Sequence, residues 1–253
     1  LYEKWGLAGV KIDFMDRDDQ WMVNWYRRVA KKAAEHRLML DFHGAYKPDG
    51  LRRTYPNVMT REGVMGLEYA KWSARITPRH NVTIAFTRML AGPMDYTPGG
   101  FENVTKEEFV PRNRFPMTMG TRAHQLALFA IYESALQMVA DYPGAYDEQK
   151  ELDFVKAVPA AWDETRVVNG EPVKYITVAR RRGQEWYVGS ITDWDARELD
   201  VPLNFLGSGS YTADIFSDAP DAATQPKNTL REQRQVNAKT VLKLRLAPGS
   251  TAK

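Results

Sequence analysis

Apolar residues in the first part of the chain fall into short runs separated by longer amphipathic stretches. The run LAGVKIDFM is rich in β-branched residues and predicts a strand buried on both faces. A polar loop with Asp16, Asp18 and Asp19 follows it. Then Met22, Val23, Tyr26, Val29, Ala30 and Ala33 recur at helical spacing and predict a helix from about Gln20 to His36. RLMLDFHG reads as a second buried strand, Pro48 to Tyr55 as a short helix and NVMTREG as a third strand. NVTIAFTRML can be read as a fourth, and Thr121 to Asp141 as one long helix.

From about Thr165 the apolar period changes to two. VKYITVARR, EWYVGSIT, RELDVPL, SYTADIFSD and TVLKLRL are separated by Gly, Asp and Pro turns, which predicts antiparallel strands with no helix between them. Strands alternating with helices before this point imply a parallel sheet, open or closed. No G-x-G-x-x-G turn follows any strand, whereas chemically useful residues stand at several strand ends, the habit of a barrel's C-terminal face. The expected fold class is α/β: the second half of a (β/α)8 TIM barrel, residues 1–162, followed by an antiparallel β-sandwich-like C-terminal domain, residues 163–253. Leu1 to Trp5 reads as the tail of a helix ending at Gly6, so the sequence is expected to start inside a domain.

Charge alters this picture little. Lys and Arg total 35 against 32 Asp and Glu, a formal charge of +3 spread along the chain, and this implies no nucleic acid partner. The basic cluster Arg180 to Arg182 beside Gly183 reads as a solvated hairpin turn. No apolar run reaches the ~18 residues of a membrane helix, so no membrane partner is expected. With no cysteine, thiolate chemistry and disulfides are excluded.

Asp13 ends the first strand, where a carboxylate could serve as a nucleophile held at a barrel mouth; the competing reading is a turn or cap. Glu62 and Glu68 lie in TREGVMGLEYAKW. A carboxyl near Tyr69 and Trp72 would have its protonated form favoured, as a general acid requires, while the bland alternative pairs both acids with Arg61 or Lys71. Asp41 and His43 alternate around Phe42 and can share a face. These acids with His43 could also belong to a metal hydrolase, but H-E-x-x-H and H-x-H are missing, which disfavours a transition metal and leaves an oxygen-rich calcium site using Glu62. His36 and His80 read as superficial and His124 as a helix-packing residue. Asp95 and Tyr96, in the loop GPMDYTPGGF, are further candidates for a sugar site.

KIDFMDRDDQ, LDFHGAYKPDGLRRTYPN, TREGVMGLEYAKW, RMLAGPMDYTPGGF and GTRAHQLALF, in this order, resemble glycoside hydrolase family 97. The resemblance runs through the whole chain. It implies an N-terminal β-sandwich, a (β/α)8 barrel with calcium at the active site and a C-terminal β domain, of which this chain would be the later part. Inverting members carry a glutamate base just after the histidine of the second strand, where this sequence has Gly44. Retaining members carry an aspartate nucleophile matched by Asp13, with Glu68 matching the acid/base and Glu62 a calcium ligand.

The resemblance therefore implies a retaining α-galactosidase acting on an oligosaccharide or other α-glycoside. Asp41, His43, Asp95 and Tyr96 would contact substrate. The alternatives are an inverting α-glucosidase of the same family or a non-catalytic sugar-binding fragment. The missing N-terminal region of the same protein is the expected partner, the metal site is expected to be incomplete without it, and the chain alone is expected to be inactive. A periplasmic or secreted location follows from resemblance only.

Overall fold

The computed structural model describes residues 1–249. Three short parallel strands open the chain: β1 (Gly9–Ile12), β2 (Met39–Phe42) and β3 (Val58–Arg61), hydrogen-bonded in the order β1-β2-β3. Between the first two runs α1 (Gln20–Glu35), which Asp19 caps by accepting a hydrogen bond from the Met22 amide, a contact worth about 1 kcal/mol. Its buried stripe of Met22, Tyr26, Ala30 and Ala33 covers Leu40, Phe42 and Val58. The short α2 (Leu51–Thr54) precedes β3. Arg61 is also buried on this side, its guanidinium 4.5 Å from the Tyr26 ring centroid and 4.8 Å from that of Tyr46.

β1 was expected to be buried on both faces, but it is the edge strand of its sheet and only half-buried. Leu7 before it and Phe14 after it are exposed. Asn81 to Leu90 was read as a strand and is not one. Thr77 caps α3 (Pro78–Phe86) by accepting from the His80 amide, and Pro78 at the first turn presets the helical φ. A 3-10 turn at Arg88–Ala91 follows. The sheet is continued instead by Met94, which bridges Arg61 in parallel. A two-residue parallel pair, β4 (Asn103–Val104) and β5 (Thr118–Met119), stands apart from it.

The predicted long helix from Thr121 stops early. α4 (Arg122–Ile131) ends where Tyr132 turns extended, and α5 (Pro143–Tyr146) and α6 (Leu152–Ala157) are separate short helices. Pro143 is tolerated in the first turn of a helix but not in its interior, and it opens α5. The period-two region holds β6 (Glu164–Glu171), β7 (Tyr175–Arg182), β8 (Glu185–Thr192), β9 (Arg197–Pro202), β10 (Tyr211–Asp218), β11 (Thr229–Val236) and β12 (Val241–Leu246). All its pairings are antiparallel: β6-β7-β8, β9 with β12, and β10 with β11.

Alternation in β7 assigns its two faces. Ile176 and Val178 join the core built by α3 and α4, whereas Ala179 packs with Val201, Leu203 and Phe205 on the opposite side. Arg180 is therefore not the turn residue its sequence implied. It is buried, and its Nη2 donates to the Ile131 carbonyl 2.8 Å away at the end of α4. Arg181 and Arg182 do pair at the surface, with Glu164 and Asp163.

Candidate active site

Parallel strands bring their C-terminal ends to one edge, and period two decides which side chains share a face there. On β1, Val10 and Ile12 pack toward α1, leaving Lys11 and Asp13 on the other face. On β2, Leu40 and Phe42 do the same and leave Asp41 and His43. The ladder continues past both strands, since the His43 amide donates to the Ile12 carbonyl at 2.8 Å.

A register shift between β2 and β3 completes the set. Leu40 pairs with Val58, but Asp41 pairs with Thr60, so Met59 is bulged out. The slip turns Arg61 toward Phe42 and the aromatic side. Glu62, whose amide donates to the Phe42 carbonyl at 2.9 Å, then falls beside His43. Asp95 arrives next, its amide donating to the Arg61 carbonyl at 2.9 Å.

Four carboxylates surround the His43 ring. Asp13 Oδ2 is 3.3 Å from Nδ1, while Glu62 Oε1, Asp95 Oδ2 and Glu68 Oε1 are 3.3, 3.7 and 3.8 Å from Nε2. The imidazole thus stands between Asp13 and Glu68. Glu68 lies beyond β3, on a 3-10 turn over Leu67–Lys71. The burial expected of Glu68 belongs to Glu62: the Glu68 side chain is 38% exposed and that of Glu62 only 8%. Burial pushes the Glu62 carboxyl above the usual range, opposed by His43 and the Gly44 amide and reinforced by the charges of Glu68 and Asp13.

Below this ring lies a second group. Lys11 Nζ is 2.6 Å from Asp95 Oδ2 and 3.5 Å from Asp41 Oδ2. Burial, then the neighbouring Asp95, pushes Asp41 up to about 8. Lys11 opposes this rise without cancelling it, so the protonated form of Asp41, which can donate to Asp95, is favoured. Asp95 itself is held low: burial alone would raise it, but hydrogen bonding from Asp41, Lys11 and Thr97 prevails. Lys11, His43, Glu68, Asp95 and Thr97 line a cavity of about 220 Å³.

The sequence candidates therefore separate into two groups. Asp13, His43, Glu62, Glu68 and Asp95 converge. Asp41 is 1% exposed and lies beneath them. Tyr96 is 1% exposed; its ring meets Tyr132 edge-on at 4.9 Å and its hydroxyl donates to Asn81, so the ring is committed to the core. His80 is not superficial, since its ring bonds the Met65 carbonyl at 2.8 Å. His124 is buried within α4 against Asn81, in agreement with a packing role, and burial lowers it to about 4.

Sequence reasoning missed Lys11 and Arg88. Lys11 was legible, two residues before Asp13 on the same strand face. Arg88 was hidden in a misread strand. It is buried, and its guanidinium donates to the carbonyls of Arg61, Glu62, Gly63, Gly92 and Pro93, tying the Glu62 turn to the segment leading into Asp95.

His43, Glu62 and Glu68 offer ligand atoms that all lie within 4.8 Å of one another. Glu62 and Glu68 are hard oxygen donors of the kind calcium takes, but the ion needs ~6–8 such ligands and an imidazole is not one of them. The two glutamates fit calcium in kind and only in part in number, and His43 does not fit it.

Carboxylates from successive parallel strands that converge on a small cleft are the mark of the enzymes that work at the C-terminal edge of a βα sheet. Two family models match the sequence: glycoside hydrolase 97 over residues 1–64, and glycosyl-hydrolase 97 C-terminal, oligomerisation, over residues 161–252, more than half of the chain between them. The chain belongs to glycoside hydrolase family 97. A retaining alpha-galactosidase from Bacteroides thetaiotaomicron is 44% identical over 98% of this chain and 38% of its own length. A probable retaining alpha-galactosidase from Streptomyces bingchenggensis is 37% identical over 90% of this chain and 34% of its own length. A family 97 enzyme from Pseudoalteromonas sp. strain K8, solved in complex with acarbose, superposes with a TM-score of 0.88 at 33% identity, covering 98% of this chain and 42% of that one. The chain thus spans less than half the length of the relatives it matches.

Proposed function

We propose that this chain is the catalytic-site and C-terminal part of a retaining α-galactosidase. The observation that carries the reading is the placing of Asp13 and Glu68 at opposite nitrogens of one imidazole, beside a glycine at position 44. Two carboxyl groups flanking one bond are what glycoside cleavage requires. Asp13 attacks the anomeric carbon and forms the glycosyl-enzyme. Glu68, the more solvent-accessible of the acids at Nε2, protonates the leaving oxygen and then takes a proton from the water that releases the sugar. His43 fixes the lateral position of both, and His43, Asp95 and Lys11 hold the sugar hydroxyls. Asp41 and Tyr96 support this floor from below.

Inversion would need a base on the second strand. A side chain at position 44, where the resemblance places that base, would collide with Asp13, which supports retention over inversion unless a glutamate from elsewhere takes the base's part. The 44% identical relative supports the same reading through its description as a retaining alpha-galactosidase.

Glu62 is the residue that would hold calcium, with the remaining ligands supplied from outside this chain. When bound, the ion would supply positive charge to a site dense in carboxylates.

The parallel sheet supports residues 1–162 as the second half of a (β/α)8 barrel and residues 163–253 as the C-terminal β domain. Exposed Leu7 and Phe14, before and after the edge strand β1, support the N-terminal region of the same protein as the partner that covers it. The description of the model matching residues 161–252 supports self-association through the β domain. We retain a periplasmic or secreted location as part of the proposal.

The test is azide rescue in the full-length enzyme. Asp13→Gly should lose ~10²-fold or more of turnover, and azide should restore cleavage of an aryl α-galactoside with a β-galactosyl azide as product. An α-azide, or a first-formed β-galactose from the wild type in an NMR time course, would overturn retention by Asp13.

A further inference from the structure

The cavity at Glu68 holds about 220 Å³, room for one pyranose ring, so a leaving group must rest on its rim. Two exposed aromatic residues adjoin the segments that line the cavity. Phe115 directly precedes Pro116 and Met117, and Tyr142 directly follows Ala140 and Asp141, all four of which line the cavity. Phe115 is 55% exposed and Tyr142 53%, yet the two rings meet edge to face at 5.4 Å and 68°.

Both rings are held in place. Phe115 has φ +50°, a left-handed backbone that costs a residue with a side chain roughly 1 kcal/mol or more. Arg112 pins that turn by donating from Nε to the Phe115 carbonyl at 2.6 Å. Tyr142 lies over Gly144, where a Cβ would stand 3.0 Å from its Cε2, so the missing side chain is what lets the ring settle against the backbone. Exposed aromatics fixed by backbone strain and a glycine seat are preorganised surfaces, and a partner that stacks on them loses little entropy in the protein.

We propose that Phe115 and Tyr142 form the platform for the leaving group, taking the apolar face of a second sugar ring linked through the bond that Asp13 and Glu68 cleave. The inference rests on the hydrolase reading above and adds to it the class of substrate: an α-linked di- or oligosaccharide, not a glycoside with a small aglycone. Pro116 and Asp141, each next in the chain to one of the two aromatics, bring the platform to the cavity wall.

The test compares two substrates in the full-length enzyme: an α-galactosyl disaccharide, and α-galactosyl fluoride, whose leaving group has no ring to stack. Tyr142→Ala and Phe115→Asn are the variants, asparagine being chosen because it tolerates positive φ. Each should lower kcat/KM on the disaccharide about fivefold to tenfold, the scale of a lost aromatic contact, and leave the fluoride within about twofold. Tyr142→Phe should retain most of the disaccharide activity. Equal losses on both substrates would mean a structural role and overturn the platform, as would no loss on either. A wild-type enzyme that cleaves neither substrate would overturn the hydrolase reading itself.

Discussion

A Cβ on Gly44 would stand 2.7 Å from Oδ1 of Asp13 and 2.7 Å from the amide nitrogen of Phe14. That amide donates to the same Asp13 oxygen at 2.6 Å, so position 44 and the nucleophile's hydrogen bond occupy one space. Gly44 also has φ +54° and donates its own N–H to Glu62 Oε2 at 2.7 Å. Gly44→Ala should displace Asp13 and cost turnover tenfold or more, with a smaller effect on the melting temperature, since the backbone strain is worth only about 1–2 kcal/mol. Steady-state kinetics alongside calorimetry separates the two, and a Gly44→Ala enzyme with wild-type turnover would remove this account of Asp13.

If Glu68 protonates the leaving oxygen, its removal should matter in proportion to how badly the leaving group needs a proton. Glu68→Ala should slow a disaccharide by roughly 10²–10⁴-fold and slow α-galactosyl fluoride far less. A uniform loss across leaving groups would assign Glu68 another role.

The Asp41 and Asp95 pair gives stability a pH dependence. Asp41 is raised to about 8 in the fold, so between the ordinary carboxylate range and that value the native state binds more protons than the unfolded chain. Its contribution is present at low pH within this window and is lost as pH rises toward 8. Asp41→Asn keeps a donor toward Asp95 but no longer titrates. Its melting temperature should vary less than the wild type's between pH 5 and pH 8 by a few degrees, and an unchanged slope would place the proton elsewhere.

His124 acts in the opposite sense. Burial lowers it to about 4, so the unfolded chain binds the extra proton first as pH falls below the usual histidine value. About 3 kcal/mol should be lost between pH 6.5 and pH 4 through this group. His124→Gln, which can still bond Asn81, should move acid unfolding to lower pH. A wild-type acid midpoint would count against it.

Arg88 holds the Glu62 turn through backbone carbonyls alone. Arg88→Met leaves those carbonyls buried without donors and should destabilise the protein by about 3 kcal/mol. Arg88→Lys should recover only part, because an ammonium lacks the planar fork. Urea unfolding of both variants checks the order.

Much of this was readable from the chain. Three βα strands showed as apolar runs, the Gln20 helix as a 3.6-residue stripe, and the β domain as alternation, because each element buries one face against a core. β6 and β11 did not show: Glu164–Glu171 has no fully buried residue, and only the two ends of Thr229–Val236 are buried, so neither carries an apolar period. The α3 segment misled because Val82, Thr83 and Ile84 favour strands locally, while Thr77 and Pro78 start a helix that the core then keeps.

By itself the sequence determined which residues could do acid, base or nucleophilic work and that Asp13, Asp41, His43 and Glu62 end strands, since side-chain type and period are local properties. Only the tertiary structure decided who meets whom. The bulge at Met59 turned Glu62 to His43 and Arg61 to the aromatic side; burial took Asp41 out of the cavity and committed the Tyr96 ring to the core; and the approach of β1 to β2 made Gly44 and Asp13 share one space. These follow from strand register and close packing between segments distant in sequence, which no single run of residues encodes.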